Sequence, residues 1–248
     1  MDDYSLDDYS LDDYSLDDYS LDDYSLDELV YYRNLLSLFK LFLMTALVLV
    51  DLQVDFLPTG MLPVKEGDRV VPLANELMPK YDLVVATQDW HPANHGSFAA
   101  NHMWRKPGQV IELDGLEQVL WPIHCVQESW GAEFAPGLNT KGIDKVFKKG
   151  TDPLIDSYSG FYDNGHRRST GLAEWLRGQG VDTVHVMGLA ADYCVKFTVL
   201  DAIREGFKTV LIVDGTRGVE LADGDVEAAV SEMREAGAVI LASTELGV

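Results

Sequence analysis

The sequence predicts an α/β protein of three layers, in which a mainly parallel central sheet lies between helices on both faces. Two observations predict this fold. From Thr45 onward, short runs of β-branched and aliphatic residues alternate with amphipathic helical stretches, and such alternation is typical of right-handed βαβ units. The first run, residues 46–50, is apolar throughout, as expected for a strand that is buried on both faces.

The other predicted elements follow the same alternation. Residues 69–81 carry apolar side chains at helical spacing, and a β-branched run follows at 83–87. A region rich in Gly, Pro, Trp and His, from about 88 to 136, is predicted to be a long loop. The alternation then resumes, and it predicts a strand at 146–148, a helix at 170–177, a strand at 183–188, a helix at 192–205, a strand at 209–213, a helix at 226–236 and a strand at 238–242.

Length and charge limit the classes of function. The chain of 248 residues is long enough for one sizeable domain. Its formal net charge is -22, but residues 1–43 hold twelve acidic and two basic side chains, so the remainder carries only about -12. No stripe of Lys and Arg is present to replace the counterions of a phosphate backbone. Nucleic acid is therefore not expected as a partner.

Residues 1–43 differ in character from the rest of the chain. Residues 2–26 are five perfect copies of Asp-Asp-Tyr-Ser-Leu. A five-residue period matches neither helix nor strand, and the repeated charge opposes compaction, so we expect disorder here and a folded domain at 44–248. Met44 is a candidate for the physiological start, and an acidic docking tail is the alternative. An intact mass of the native protein that includes the repeats would contradict the early start.

Two features bear on the compartment. The apolar stretch 35–43 is much shorter than the roughly twenty residues of a membrane span, contains Lys40 and follows an acidic tract, so neither a signal peptide nor a membrane segment is predicted. Cys125 and Cys194 are the two cysteines, too few for a disulfide framework. We therefore expect a reducing, cytoplasmic compartment and no membrane partner.

Side chains that follow strands are candidates for function, because ligands in such folds bind outside the carboxyl ends of the strands. Asp51 directly follows the first strand, where a solvated strand-end carboxylate or a helix N-cap is the alternative interpretation. Lys149 follows the strand at 146–148 and would reach the same edge, where an ordinary solvated lysine is the alternative interpretation.

Cys194 follows a strand and a turn of small residues, in the first turn of a predicted helix. The positive end of that helix is expected to lower the pKa of the thiol. The small residues Gly188, Ala190 and Ala191 would let a substrate carbonyl approach backbone N–H groups, as an oxyanion hole requires. A buried structural cysteine is the alternative, and Cys125, which lacks this setting, is expected to be structural.

A possible metal site follows the second strand. Asp89 and His91 are separated by one residue in an extended segment, so their side chains point to the same side. Carboxylate and imidazole are suitable ligands for zinc, iron or manganese. His124 lies close to Pro122 and could provide a third ligand, and His95 is a possible fourth. Two surface side chains without a metal are the alternative for Asp89 and His91.

Together these motifs resemble the nicotinamidase (pyrazinamidase) family of the isochorismatase-like cysteine hydrolases, and the resemblance implies that family's fold. It runs in order from about Met44 to the C-terminus. The matching segments are residues 48–56, 88–98, 121–126, 147–150, 156–161 and 188–195.

The resemblance implies roles for individual residues. It implies a catalytic triad of Asp51, Lys149 and Cys194, with the N–H groups of Ala190 and Cys194 as oxyanion donors. It also implies a cis peptide bond between Leu189 and Ala190.

The resemblance further implies one divalent metal ion, with zinc favoured over iron or manganese, on the ligands Asp89, His91 and His124. The substrate contacts that it implies are Phe56 and Trp121 as aromatic walls, together with Leu189 and Tyr158.

The implied activity is hydrolysis of nicotinamide to nicotinate and ammonia in NAD salvage, with pyrazinamide as a further substrate. Val54 and Ala191 depart from the family, which often has Asn and Thr at these positions. Neither supplies a triad or metal group, so the departures concern the exact placement of the site residues and not the reaction. The alternatives are a cysteine amidohydrolase acting on ureido or carbamoyl compounds, an isochorismatase, or a non-catalytic binding module that uses the acidic tail. The sequence does not indicate the oligomeric state.

Overall fold

The fold is given by a computed structural model that describes residues 44–247. The disorder predicted for residues 1–43 lies outside the described residues. The strands are β1 (Met44–Val50), β2 (Leu83–Asp89), β3 (Val110–Leu113), β4 (Leu116–Val119), β5 (Lys145–Lys149), β6 (Val181–Leu189), β7 (Lys208–Arg217) and β8 (Val239–Leu241). The α-helices are α1 (Val70–Leu77), α2 (Leu172–Gly178), α3 (Lys196–Arg204) and α4 (Asp225–Glu235). Within the described range, no helix combines the length and the apolarity that a membrane span needs.

Six strands form one sheet in the order β5-β2-β1-β6-β7-β8, and every pair in it is parallel. The predicted parallel sheet is therefore confirmed. All six strands end at the same edge, and the register of β2 with β5 places Asp89 beside Lys149. Side chains that are distant in sequence are thus brought to one edge of the sheet.

The sheet is covered on both faces because the side chains of each strand alternate between them. In β1, residues Ala46, Val48 and Val50 pack into the core that includes residues of α2, α3 and α4. Leu47 and Leu49 face the other core, to which α1 and several loops contribute. These two cores confirm the three-layer arrangement.

The structure corrects the predicted loop from 88 to 136. That region contains the hairpin of β3 and β4, whose turn is formed by Asp114 and Gly115 with φ angles of 48° and 82°. Positive φ at both turn residues is what a two-residue hairpin favours, and Asp-Gly is a strong signal for it. The sequence therefore carried the information for this hairpin.

Two predicted helices also differ in detail. The helix expected at 69–81 is α1 flanked by 3-10 turns, and it ends before Pro79, which has no N–H to continue the helical hydrogen bonds. The helix expected at 192–205 begins with one π-helical turn, Ala191–Val195, before α3. In this turn the N–H of Val195 donates to the carbonyl of Ala190.

Candidate active site

The polar side chains of the site are placed by the ends of four strands. Asp51 follows β1, Asp89 is the last residue of β2, and Lys149 is the last residue of β5. Ala190 and Cys194 follow β6: Ala190 directly precedes the π-helical turn, and Cys194 lies within it. This is the edge that the sequence analysis predicted, and all five residues are buried there.

Lys149 lies at the centre of this group. Its Nζ is 2.9 Å from Asp51 Oδ2, 2.9 Å from Asp89 Oδ1 and 3.4 Å from Cys194 Sγ, and it donates to the carbonyl of Ser157 at 2.8 Å. Burial disfavours the ammonium ion, but the carboxylates of Asp51 and Asp89 raise the pKa of Lys149 well above its usual range. The lysine is therefore charged. The other two residues of the predicted triad, Asp51 and Cys194, lie beside it.

Asp51 is held by a side chain of the neighbouring strand. Thr87 Oγ1 donates to Asp51 Oδ1 at 2.6 Å, and Asp51 Oδ2 faces the Lys149 ammonium at 2.9 Å. Burial raises the pKa of Asp51, and the ammonium of Lys149 opposes part of that rise. A buried carboxylate with a raised pKa is suited to act as a base.

Cys194 has a thiol pKa opposite to the one predicted. Burial raises the pKa of Cys194 well above its usual range, although the charge of Lys149 lowers it. The prediction of a lowered pKa was wrong because it considered only the helix end, and desolvation of the thiolate is the larger effect. The thiol is therefore neutral at rest, so a base must remove its proton before it can act as a nucleophile.

The turn between β6 and Cys194 depends on a glycine. Gly188 has φ of 130°, and a Cβ at this position would lie 2.1 Å from the carbonyl oxygen of Val50. Only glycine fits so close to β1. The next peptide bond, Leu189–Ala190, is cis, which confirms the geometry that the family resemblance implied.

Three side chains of the predicted metal set converge on one point. His91 Nε2 lies 2.9 Å and His124 Nε2 lies 3.4 Å from Asp89 Oδ2. The other ring nitrogens face carbonyl oxygens, His91 Nδ1 that of Gly150 at 2.9 Å and His124 Nδ1 that of Pro122 at 2.8 Å. Burial opposes a charged imidazole, yet the Asp89 carboxylate raises the pKa of His91 to about 9. Two imidazole nitrogens and a carboxylate oxygen that face each other in a buried site fit a divalent metal ion.

His95 lies beside this set rather than within it. Its ring centroid is 4.3 Å from that of His91. One ring nitrogen of His95, one of His91 and a carboxylate oxygen of Asp156 lie within 4.8 Å of one another. Its Nδ1 lies 2.7 Å from Ser97 Oγ, and its buried Nε2 has no hydrogen-bond partner among the described residues. Burial lowers the pKa of His95 to about 4. An unpartnered imidazole nitrogen at this depth is consistent with a further ligand.

A small cavity opens onto the thiol and the metal set. Three of the predicted substrate contacts, Phe56, Trp121 and Tyr158, line it. Leu189 does not, because its side chain is fully buried in the core behind Ala190. The cavity is lined by Phe56, Leu62, Asp89, Trp121, His124, Asp156, Tyr158, Ala190, Tyr193, Cys194 and Val219.

Some lining residues were not predicted as site residues. Asp156 and Tyr193 lie in the segments 156–161 and 188–195 that resemble the family, so the sequence could have predicted them as site residues. Leu62 and Val219 come from loops that follow β1 and β7, and nothing in the sequence distinguishes them from other apolar loop residues.

The fold and this edge of the sheet define a hydrolase with a parallel, three-layer α/β architecture, in which a cysteine lies beside a carboxylate and a lysine. The isochorismatase domain family matches residues 45–245. The chain belongs to this family and, within it, to the nicotinamidases.

Three comparisons describe its relatives. The nicotinamidase of Escherichia coli (strain K12) is 53% identical over 199 residues, which are 79% of this chain and 93% of the relative. The solved structure of a nicotinamidase/pyrazinamidase of Acinetobacter baumanii is 46% identical with a TM-score of 0.79, over 81% of this chain and 97% of that one. The pyrazinamidase of Pyrococcus horikoshii, solved in complex with zinc, is 39% identical with a TM-score of 0.65, over 80% and 99% of the two chains.

Proposed function

We propose that this chain hydrolyses nicotinamide to nicotinate and ammonia, in NAD salvage, with Cys194 as the nucleophile. Pyrazinamide, a related carboxamide, is a further substrate. The observation that carries the proposal is the buried ammonium of Lys149, which lies within 3.4 Å of Asp51, Asp89 and Cys194; of these, Asp89 and Cys194 line a cavity with aromatic walls. The relatives named nicotinamidase support this choice of substrate.

The hydrolase domain is proposed to be residues 44–248. Both cysteines are free thiols, which fits the reducing, cytoplasmic compartment that the composition predicts.

The reaction begins with proton transfer from Cys194 to Asp51. The thiol is neutral at rest because burial raises its pKa. Asp51 Oδ1 accepts from Thr87, and Oδ2 lies beside the Lys149 ammonium with a second lone pair left, so Oδ2 is proposed to take the proton. Lys149 stays charged and stabilises the thiolate as it forms, since its Nζ lies 3.4 Å from Sγ.

The thiolate then attacks the carboxamide carbon. Ala190 and Cys194 line the cavity, and their backbone N–H groups are proposed to donate to the oxyanion of the tetrahedral intermediate. Asp51 returns its proton to the amide nitrogen, the C–N bond breaks and ammonia leaves, which produces a thioester on Cys194. Water next attacks the thioester, with Asp51 again as the base. The C–S bond breaks, Asp51 passes the proton taken from water to the departing sulfur, and the carboxylic acid product loses its own proton to solvent and leaves as nicotinate.

A single divalent metal ion is proposed for Asp89, His91 and His124, with His95 as a possible further ligand. Zinc is favoured because the Pyrococcus horikoshii relative was solved in complex with zinc, and iron or manganese suit the same donors. When bound, the ion would act as a Lewis acid that binds the pyridine nitrogen, which would orient the ring. Phe56 and Trp121, which both line the cavity, are proposed to hold the ring between them.

The test compares two cysteine substitutions on the full-length chain. Cys194→Ala should lower ammonia release from nicotinamide by about 10³-fold or more, because it removes the atom that forms the thioester. Its metal content, measured by elemental mass spectrometry, should match that of the wild type because Cys194 is not a ligand. Cys125→Ala removes the other buried thiol and should keep most of the activity. Turnover retained in Cys194→Ala would overturn the assignment of the nucleophile.

A further inference from the structure

Thr87, a fully buried residue of β2, makes two contacts with Asp51 through one hydroxyl group. Its Oγ1 lies 3.2 Å from the backbone nitrogen of Asp51 and 2.6 Å from Asp51 Oδ1. A backbone N–H can only donate, so the hydroxyl oxygen accepts there and its one hydrogen is left for the carboxylate. The direction of both hydrogen bonds is therefore determined.

The backbone contact arises because the pairing of β1 with β2 stops before Asp51. The last paired residues are Leu49 and Ala86, and Asp51 has φ of 47°, which turns the chain away from the strand. Its N–H would be buried without a partner if Thr87 did not accept it. One side chain thus fixes both the main chain and the carboxylate of Asp51.

The carboxylate contact decides which oxygen of Asp51 can receive a proton. Oδ1 accepts the Thr87 hydroxyl. Oδ2 faces the Lys149 ammonium at 2.9 Å, an ion pair that occupies one of its two lone pairs. The second lone pair of Oδ2 is left to receive a proton.

We propose that Thr87 is a positioning residue, which orients Asp51 so that Oδ2 receives the proton of Cys194. This inference deepens the proposed function and rests on it. Thr87 does not line the cavity, so it acts on the reaction through Asp51 and not on the substrate.

The orientation of Thr87 is itself held by a glycine. A Cβ at Gly160 would lie 2.6 Å from Thr87 Cγ2, so the threonine methyl packs directly against this residue. Gly160 is fixed in turn, because its N–H donates to Thr198 Oγ1 at 2.9 Å and its carbonyl accepts from Thr170 Oγ1 at 2.6 Å. Contact on the methyl side leaves the hydroxyl directed at Asp51, and a β-branched side chain has few other rotamers.

The test uses a matched pair of substitutions at this position. Thr87→Val keeps the shape and removes the hydroxyl, and it should lower kcat for nicotinamide by about 10- to 100-fold with KM changed less than about twofold. Thr87→Ser restores the hydroxyl and should stay within about threefold of the wild-type kcat. Thr209→Val is the control, because Thr209 is a buried strand threonine whose hydroxyl donates to the carbonyl of Phe207. It should leave kcat near the wild-type value.

A second readout separates this proposal from the proposed function. The rate at which iodoacetamide alkylates Cys194, followed by intact mass, depends on removal of the thiol proton and needs no nicotinamide. It should fall in Thr87→Val and recover in Thr87→Ser. If the wild type releases no ammonia yet alkylation follows this order, the substrate is wrong and Thr87 keeps its role. If folded Thr87→Val retains wild-type kcat and alkylation, or if Thr87→Ser loses as much as Thr87→Val, the positioning role is overturned.

Discussion

At the scale of single residues, Lys149 connects the charged groups that the proposed reaction uses. A fully buried ammonium is costly unless carboxylates face it, and here Asp51 and Asp89 both do. The same ammonium lies next to the nucleophile Cys194. One cation therefore holds the base, the nucleophile and a proposed metal ligand in a fixed arrangement.

Lys149→Met is expected to affect both activity and stability. Without the cation, two buried carboxylates lose their shared partner, so the free energy of unfolding should fall by about 3–5 kcal/mol and kcat by at least about 10²-fold. Lys148→Met is the matched control, because Lys148 is exposed and its Nζ lies 3.5 Å from the ring centroid of Trp90. It should cost no more than about 1 kcal/mol. Denaturant unfolding and ammonia release measure both effects. Equal unfolding free energies for the two variants would contradict the central role of Lys149.

The sequence predicted the positions of site residues better than their properties. Asp51, Asp89 and Lys149 could be found because parallel strands bring their ends to one edge. The role of Thr87 could not, since threonine is an ordinary strand residue and its contact with Asp51 depends on where the pairing of β1 with β2 ends. The pKa of Cys194 was predicted in the wrong direction because a sequence does not show how deeply a thiol is buried.

At the scale of elements, β6 carries a buried titratable group, His185, that lies outside the site. His185 lies in the middle of β6, and its Nδ1 is 2.7 Å from the hydroxyl of Tyr81. Burial lowers the pKa of His185, so the folded protein binds this proton less readily than the unfolded chain.

This lowered pKa predicts a pH dependence of stability. The contribution is fully present above the unfolded pKa of about 6.5 and is lost as the pH falls below that value toward the folded pKa. The free energy of unfolding of the wild type should therefore decrease more between pH 7 and pH 5 than that of His185→Gln. Denaturant titrations at the two pH values measure the difference, in which the other titrating groups cancel. A steeper decrease in the variant would refute this prediction.

Element prediction succeeded where periodicity was strong and failed where local chemistry decided. All six strands of the sheet and the four α-helices lie at or within a few residues of their predicted places. The hairpin of β3 and β4 was missed because its strands have only four residues each and bury a single residue, Gln118, although the Asp114–Gly115 turn was visible in the sequence. The π-helical turn at Ala191–Val195, most of whose residues are buried, has no sequence signal.

At the scale of the whole molecule, the parallel sheet separates two apolar cores and leaves its polar groups at one edge. The apolar run at 46–50 was sufficient to predict a strand that serves both cores. The cavity could not be predicted in the same way, because it is built from loops of different lengths that meet only in the folded chain.

The activity is proposed for residues 44–248. A chain that begins at Met44 should therefore keep kcat within about twofold of the full-length chain.

Ammonia release from nicotinamide, measured on the full-length chain before and after treatment with a chelator, tests the central claim most directly. We predict release by the native protein, at least about a tenfold loss when the metal is removed, and recovery when zinc is restored, because the buried donors Asp89, His91 and His124 then regain their ion. The contradicting result is no release of ammonia from nicotinamide by protein that contains bound metal and a reactive Cys194 thiol.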